Sequence, residues 1–464
     1  MAEAREESLS RLDQMFKEAE KAAVDDWLDD LYTHLVEGDR YLKQVVDHTL
    51  LEQLGAAGLP GAVDMFWGAI PAIFAYPPKE IPWIMREAMK RFAKKKIHGH
   101  PIIPPTTIVP EQRWNAFLKR ATKGDVVDGS GDIWGTQKYQ QLDWRWIQAL
   151  LDSYLTPQNG KLYGQPGQVI PIGDNVRIGL VGDWGTGTAA AIKVIEAAAA
   201  AKPDYLVHLG DVYYSGRDSS FWHRLDHTAE ETKKFVDLWP KTIVSFALNS
   251  NHEMYSKARG YFSDALRAKP FLAQKRASHF LLENDGWQIF GLDTALAAKP
   301  YLYMDPALTT QQTDFLSHHV KPNKKVILLS HHTGLSIDGT RVCDAIWSQI
   351  ERALGRQPDY WYWGHIHNGI VYNGVGRTPA ARNHTMCRCV GHGAVPYGYA
   401  WGLEEFTGDG KPIAHFSHEK RGATHEVKNG FATLDLKGTV ITETFFDEDG
   451  CCVWSPTPEV ALIE

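Results

Sequence analysis

From about residue 176 onward, short apolar runs alternate with polar, glycine-bearing loops, and a helical period appears between the first two of them. Val176 to Val181 reads as a buried strand, Thr188 to Ala201 as an alanine-rich helix and Tyr205 to Leu209 as the next strand, which makes a βαβ unit with parallel strands. Lys241 to Phe246, Trp287 to Leu292, Lys325 to Leu329 and Tyr360 to Trp363 repeat the pattern of a short apolar run ending in polar residues. The front of the chain has the other period. Leu9, Leu12, Phe16, Ala19, Ala23, Trp27, Leu31 and Leu35 recur at three or four positions and predict an amphipathic helix stopped near Gly38. Leu42, Val45, Val46, Leu50 and Leu54 predict a second, ending at Gly55, and Ile81, Ile84, Met85, Ala88, Met89 and Phe92 a third, closed by Lys94 to Lys96. Residues 101–105 and 124–135 are turn- and loop-rich, 139–154 carries one more helical pattern, and 156–175 is a glycine- and proline-bearing connector. The organisation expected is a helical region over 1–100, a connecting segment with one helix over 101–170, and an α/β domain over 171–464.

The polar residues that end the apolar runs carry the candidate chemistry. Gly182-Asp183-Trp184-Gly185, Gly210-Asp211-Val212-Tyr213-Tyr214, Asn251-His252-Glu253, Ser330-His331-His332 and Gly364-His365-Ile366-His367 follow one another in chain order. Ligands of open α/β sheets bind outside the carboxyl ends of the strands, where these segments fall. Carboxylate, amide oxygen, phenolate and imidazole together suit iron, zinc and manganese, and the set has no thiolate to favour soft metals. Asp211 can bridge two ions. Two ions a few ångströms apart clamp the attacking and leaving oxygens of a phosphoryl displacement and lower the pKa of a bound water, so the set implies hydrolysis of a phosphate ester.

These motifs resemble the calcineurin-like metallophosphoesterases, whose pattern runs D-x-H, GD, GNH-D/E, H, GHxH. Two positions depart from it: Ser250 stands where glycine is usual, and Gly185 stands where the general pattern has a second histidine. With Tyr214 three residues past Asp211, D-x-G plus GD-x-x-Y is similar to the purple acid phosphatase branch. The resemblance extends to Phe280-Leu-Leu, Trp287 to Thr294, Gln312 to Leu316 and the closing strands Gly430 to Leu436, Val440 to Phe445 and Cys452 to Trp454. It implies a four-layer α/β/β/α sandwich, preceded here by the helical extension. It also implies two metal ions. Ferric iron would take Asp183, Asp211, Tyr214 and His367, and ferrous iron, zinc or manganese would take Asp211, Asn251, His331 and His365. The reaction implied is metal-hydroxide attack on a phosphate monoester, with His252 as general acid. A phosphodiesterase acting on cyclic nucleotides or phospholipids is the alternative on the same metal core, and a metal-containing scaffold or phosphate-sensing binder is a third reading.

Other readings of the same residues stay open. Asp183 can cap the helix near Thr188, Tyr213 can replace Tyr214 as ligand, and His252 can hydrogen-bond a carboxylate structurally. Glu253 fits as the carboxylate that fixes a histidine tautomer, or as a solvated loop acid. His332, His392, Arg217, His223 and His227 are candidates for the pocket lining or are merely loop residues.

Composition narrows the class further. The 464 residues are 44% apolar and 11% aromatic, which indicates a globular protein with a sizeable core. A formal charge of −7 leaves no general basic footprint for nucleic acid, and the expected partner is a small-molecule phosphate ester. Cys343, Cys387, Cys389, Cys451 and Cys452 show no CxxC spacing, so reduced thiols in the cytoplasm are expected. The charged start of the chain lacks the apolar core of a secretory signal. Gly55 to Tyr76 is apolar apart from Asp64, and a basic amphipathic helix follows, which raises peripheral membrane contact through residues 55–96. Pro60, Pro71 and Asp64 make it a poor spanning helix. The sequence does not specify an oligomeric state.

Overall fold

The computed structural model describes residues 160–456 except 220–228, 299–302, 304, 374–384, 396–399, 401–402 and 419–425, together with Tyr139, Thr156 and four short strands nearer the N-terminus. The three N-terminal helices expected from periodicity, and nearly all of residues 55–96, lie outside the described residues. Two hairpins stand where only loops are expected: β1 (Lys96–Ile97) with β2 (His100–Pro101), and β3 (Asp125–Val127) with β4 (Ile133–Gly135). Tyr139 has a left-handed backbone, φ +66°, and the rest of the helical pattern expected over 139–154 lies outside the described residues.

Two sheets form the α/β domain. Strands β6 (Asn175–Val181), β7 (Tyr205–His208) and β8 (Val244–Ala247) run parallel, and β16 (Gly430–Lys437), β17 (Val440–Asp447) and β18 (Cys452–Trp454) extend them antiparallel in the order β18-β17-β16-β6-β7-β8. The second sheet has the order β15-β13-β14-β12-β11-β10-β9-β5. Its strands are β5 (Gln168–Pro171), β9 (Phe280–Glu283), β10 (Trp287–Leu292), β11 (Lys325–Ser330), β12 (Tyr360–Trp363), β13 (Gly369–Tyr372), β14 (Met386–Val390) and β15 (Ile413–Phe416). Strands β10, β11, β12 and β14 are parallel, so their carboxyl ends open on the same edge. The run expected at Lys241 to Phe246 forms its strand only from Val244.

Period-two burial explains the layers. On β9 to β12, Leu282, Ile289, Ile327, Leu329 and Tyr362 point to the other sheet and meet Ile178, Leu180, Val207, Phe246 and Leu434. Their neighbours Leu281, Phe290, Leu328, Trp361 and Trp363 point outward and pack on helices α4 (Thr310–His319) and α5 (Asp344–Leu354) through Phe315, Leu316, Ile346, Trp347 and Ile350. Both faces of these strands are covered, which is why they read as near-continuous apolar runs. Helix α1 (Ala189–Ala200) buries Ala191, Val194, Ile195 and Ala198 and covers the outside of the first sheet. The result is a four-layer α/β/β/α sandwich. Each large aliphatic side chain buried in it contributes about 1.5–3 kcal/mol.

One polar cross-link crosses the inter-sheet core. Arg388 on β14 donates to both Glu443 carboxylate oxygens on β17, at 2.8 and 2.9 Å, and the Tyr362 hydroxyl donates to Glu443 Oε1 at 2.7 Å. Both charged side chains are almost fully buried. Removing one member leaves the other charge buried and unpaired, so Glu443→Ala is expected to destabilise the domain by about 3–5 kcal/mol in urea titration, and the double variant Arg388→Met/Glu443→Leu by clearly less.

Candidate metal centre

The candidate ligands all sit just past strand ends. Asp183 follows β6, Asp211 follows β7, Asn251 opens the short helix α2 (Asn251–Met254) after β8, His331 follows β11, and His365 and His367 follow β12. Four of these residues take a left-handed backbone: Asp183 (φ +54°), Asp211 (+78°), His365 (+71°) and His367 (+50°). Each such residue costs of order 1–3 kcal/mol, which the surrounding sheets must offset. Gly210 adopts φ +99°, and a Cβ there would come within 2.8 Å of the His331 ring. The chain turns back at each strand end and aims its polar side chains at one spot.

Two groups of donor atoms meet around Asp211. In the first, the Tyr213 hydroxyl lies 2.7 Å from Asp211 Oδ2, 3.0 Å from His367 Nε2 and 3.3 Å from Asp183 Oδ1, and His367 Nε2 lies 3.4 Å from Asp183 Oδ1. In the second, His331 Nε2 lies 3.2 Å from Asp211 Oδ1, 2.8 Å from Asn251 Oδ1 and 3.2 Å from His365 Nδ1. Asp183, Asp211 and His331 alone offer three ligand atoms within 4.8 Å of one another. One carboxylate, Asp211, turns one oxygen to each group.

Hydrogen-bond roles show that the second group fits a cation. His331 Nδ1 is 2.9 Å from the Leu209 carbonyl, which only accepts, so Nδ1 carries the proton and Nε2 presents a lone pair. The Asn251 amide nitrogen donates to the Tyr255 hydroxyl at 2.9 Å, which turns Oδ1 inward. Asp211 Oδ1, Asn251 Oδ1 and His331 Nε2 are then three acceptors facing one another at close range. A cation between them makes that arrangement favourable.

The electrostatics agree. Burial and the neighbouring Asp211 carboxylate push Asp183 well above the usual carboxylate range. Burial acts the same way on Asp211, but His331, His252 and His367 override it and hold it well below that range. Burial moves His331 and His365 below the ordinary imidazole value, the direction that favours the metal-ligating form. Two adjacent buried carboxylates that cannot both ionise cheaply are a site awaiting positive charge.

Asp183 does not cap the helix. The Thr188 side chain is the N-cap of α1 and accepts from the Ala191 amide, whereas Asp183 Oδ2 accepts the His365 backbone N–H at 2.7 Å. His252 Nδ1 lies 2.7 Å from the Tyr214 carbonyl and Nε2 lies 3.9 Å from Asp211 Oδ2, so its Nε2 edge faces the carboxylates. Glu253 meets the Ser250 hydroxyl, which also contacts Asp211 Oδ1, so this acid reaches the Asp211 carboxylate through a serine rather than fixing a histidine. His332 lies beside His331 and His365, with Nδ1 2.8 Å from Thr294 Oγ1 and Nε2 2.7 Å from the Tyr303 carbonyl, and burial pushes it down to about 3.

Other expectations need correction. The tyrosine facing the carboxylates is Tyr213, whereas the Tyr214 ring stacks on Tyr139 at 4.7 Å. Backbone pairing sets this: Gly185 N–H donates to the Asp211 carbonyl and Tyr213 N–H to the Gly185 carbonyl, which carries the Tyr213 side chain back over Asp183. A side chain at position 185 would meet Val212 Cα at 2.7 Å, so no histidine fits there and the tyrosine hydroxyl supplies a donor instead. His392 is not at the pocket; its ring packs against Gly369, Gly430 and Phe445 in the core, and burial pushes it down to about 3. Arg217 is fully buried; against the effect of burial, it and Lys234 hold the Glu230 carboxyl below its ordinary value, Lys234 more strongly. His223 and His227 lie outside the described residues. Sequence reasoning missed Tyr255 and noted Ser250 only as a replacement for glycine, although a serine immediately before the Asn251 helix is an N-cap signal.

Residues 176–369 match the calcineurin-like phosphoesterase family, a span that contains every candidate ligand. No curated protein matches the chain by sequence. Among solved structures it is similar to GAP50, the anchor in the inner membrane complex of Plasmodium, at 14% identity over 61% of this chain and 88% of that one, with a TM-score of 0.42. It is also similar to purple acid phosphatase PPD1 from yellow lupin (Lupinus luteus) seeds, at 14% identity over 63% of this chain and 54% of that one, TM-score 0.38. PhoD matches at 9% identity over 64% and 74%, TM-score 0.37.

The two tyrosines give a direct test of the geometry. Tyr213→Phe is expected to weaken metal binding by at least about tenfold, read by mass spectrometry after dialysis against a metal buffer, and Tyr214→Phe to leave metal content close to that of the parent protein.

Proposed function

We propose that the protein is a binuclear-metal phosphatase that hydrolyses phosphate monoesters in the manner of purple acid phosphatases. The observation that carries this reading is the Asp211 carboxylate, each of whose oxygens faces its own group of donor atoms. Asp183, Asp211, Tyr213 and His367 would hold one ion, ferric iron by the tyrosine resemblance, and Asp211, Asn251, His331 and His365 would hold ferrous iron, zinc or manganese. When bound, such ions neutralise phosphate charge and activate water near neutral pH.

The protein's own residues prepare and finish the reaction. The buried carboxylates and imidazoles are already oriented by backbone partners, so no reorganisation is required when a phosphate arrives. His252 is anchored through Nδ1 on the Tyr214 carbonyl, which directs Nε2 to the site and makes it the group that protonates the departing alcohol. Burial lowers the imidazole below its ordinary value, while Asp211 pulls the other way. The acid form is therefore favoured on the acidic side of neutrality. The monoester assignment rests on the tyrosine-for-histidine exchange at Gly185 and Tyr213.

All five cysteines are free thiols, with burial pushing Cys387 up to about 12, and we place the protein in the reducing cytoplasm on that basis. Among the described residues, no helix is long and apolar enough to cross a membrane.

Hydrolysis of p-nitrophenyl phosphate against its bis-ester tests the reading. Monoester turnover is expected to dominate, and His252→Ala to lower kcat by about 10²–10⁴-fold with metal content unchanged. A preference for the bis-ester would replace the monoester assignment with a diesterase.

A further inference from the structure

Two of the five thiols belong neither to the metal centre nor to the core. Cys451 and Cys452 are neighbours in the chain and both are exposed, whereas Cys387 and Cys389 are buried and Cys343 is half-buried. They stand where the β17–β18 hairpin turns. Asp447 builds that turn. Its carbonyl accepts the Gly450 N–H at 3.0 Å, its own N–H donates to the Cys451 carbonyl at 3.0 Å, and its Oδ1 accepts the N–H groups of Asp449 at 3.0 Å and Cys451 at 2.9 Å. Lys193 on α1 reaches the same turn through Asp449, 2.6 Å away. The hairpin thus presents two adjacent thiols at an accessible surface, which is where thiol oxidation begins.

Neighbouring cysteines on a strand do not sit in disulfide geometry. Their α-carbons are about 3.8 Å apart, short of the roughly 4.4–6.8 Å of an ordinary disulfide. Successive side chains of extended backbone also point to opposite faces. Cys452 opens β18 opposite Phe446, and the Cys451 carbonyl is tied to Asp447. A bond between the two sulfurs therefore requires their joining peptide to leave the hairpin ladder. Strand β18 can yield, because it spans three residues at the edge of its sheet, with Phe446–Cys452 and Phe445–Trp454 in register. Its far end bears on the core. The Trp454 ring centroid lies 5.7 Å from that of Phe445 and 5.4 Å from the Arg388 guanidinium, and the Ser455 hydroxyl donates to the Glu443 carbonyl at 2.8 Å. The strand thus rests on both residues of the buried cross-link between the sheets.

We propose that Cys451 and Cys452 form a modification site, a dithiol that hydroperoxides oxidise to a disulfide between neighbours, and that ring closure lifts Trp454 from Arg388. One thiolate attacks a peroxide oxygen and the O–O bond breaks. The departing oxygen takes up the proton which the first thiol released and leaves as an alcohol, or as water where the oxidant is hydrogen peroxide. The neighbouring sulfur then attacks the sulfenic acid, the S–O bond breaks, and water leaves with the second thiol's proton. The two sulfurs together give up two electrons, which the peroxide accepts. The ring so formed is strained, so a dithiol reductant reopens it, as expected of a disulfide in a reducing compartment. The site lies outside the metal centre and does not depend on which ester that centre hydrolyses.

The test treats the full chain, reduced and then freed of reductant, with hydrogen peroxide. Peptide mass mapping is expected to find a loss of two hydrogens on the peptide that holds both cysteines, with Cys387 and Cys389 still reduced. Tryptophan emission is expected to move to longer wavelength, and dithiothreitol to reverse both changes. Cys451→Ser and Cys452→Ser each close no ring and keep the emission of the reduced parent under peroxide. Trp454→Phe closes the ring without the emission shift, which assigns that shift to Trp454. The double variant Cys451→Ser/Cys452→Ser alters only exposed side chains, so it is expected to melt with the reduced parent and to show neither change. Sulfinic acid at these positions, or disulfide-linked dimers in place of the ring, would overturn the site. A ring that closes with unchanged emission would overturn the release of Trp454.

Discussion

The domain is organised around two carboxylates, Asp183 and Asp211, buried side by side where two sheets end. Like charges at this separation and depth repel strongly, and burial alone would protonate one of them. Imidazoles, an amide oxygen and a phenol stand around it, and His331 and Asn251 are held by partners on their outer sides. The Leu209 carbonyl orients His331, Tyr255 orients Asn251, and the His365 backbone donates to Asp183. Each of these outer partners decides which atom is turned inward, so the geometry of the candidate site is set by groups that lie outside it.

The fold makes this possible by stiffness rather than by any local preference. Four of the inward-aimed residues adopt left-handed backbone that an isolated peptide would avoid. Parallel strands locked between two apolar layers hold those turns in place, and the Arg388–Glu443 pair ties one sheet to the other across the core. Strain at the strand ends and tight packing between them are two sides of one design: the sandwich supplies the rigidity with which the site fixes its ligands.

Much of this was legible in the chain. Strands buried on both faces appear as unbroken apolar runs, so Trp287–Leu292 and Tyr360–Trp363 could be bounded to the residue, and the polar positions just past them stood out. Elements with weaker signals did not. Strand β5 hides in a stretch rich in glycine and proline because it is an edge strand paired on one side only, and β13 and β15 lie among loops. Helix α5 has its apolar residues on one face, but it follows the site loops and was not separated from them. Spacing alone does not separate Tyr213 from Tyr214, because the Gly185 backbone pairing that carries the Tyr213 side chain over Asp183 joins two motifs distant in sequence. His392 reads as a site residue by its flanking glycines, yet Gly369 and Gly430 make room for its ring inside the core.

The central claim is that Asp211 joins two metal ions. Anomalous diffraction from a crystal of the metal-loaded protein, collected on both sides of the iron and zinc edges, addresses it most directly. Two peaks roughly 3.5–4 Å apart, one on each oxygen of Asp211 with Tyr213 on the first and Asn251 on the second, are the expected result. A single peak, or two peaks that do not share Asp211, would contradict it.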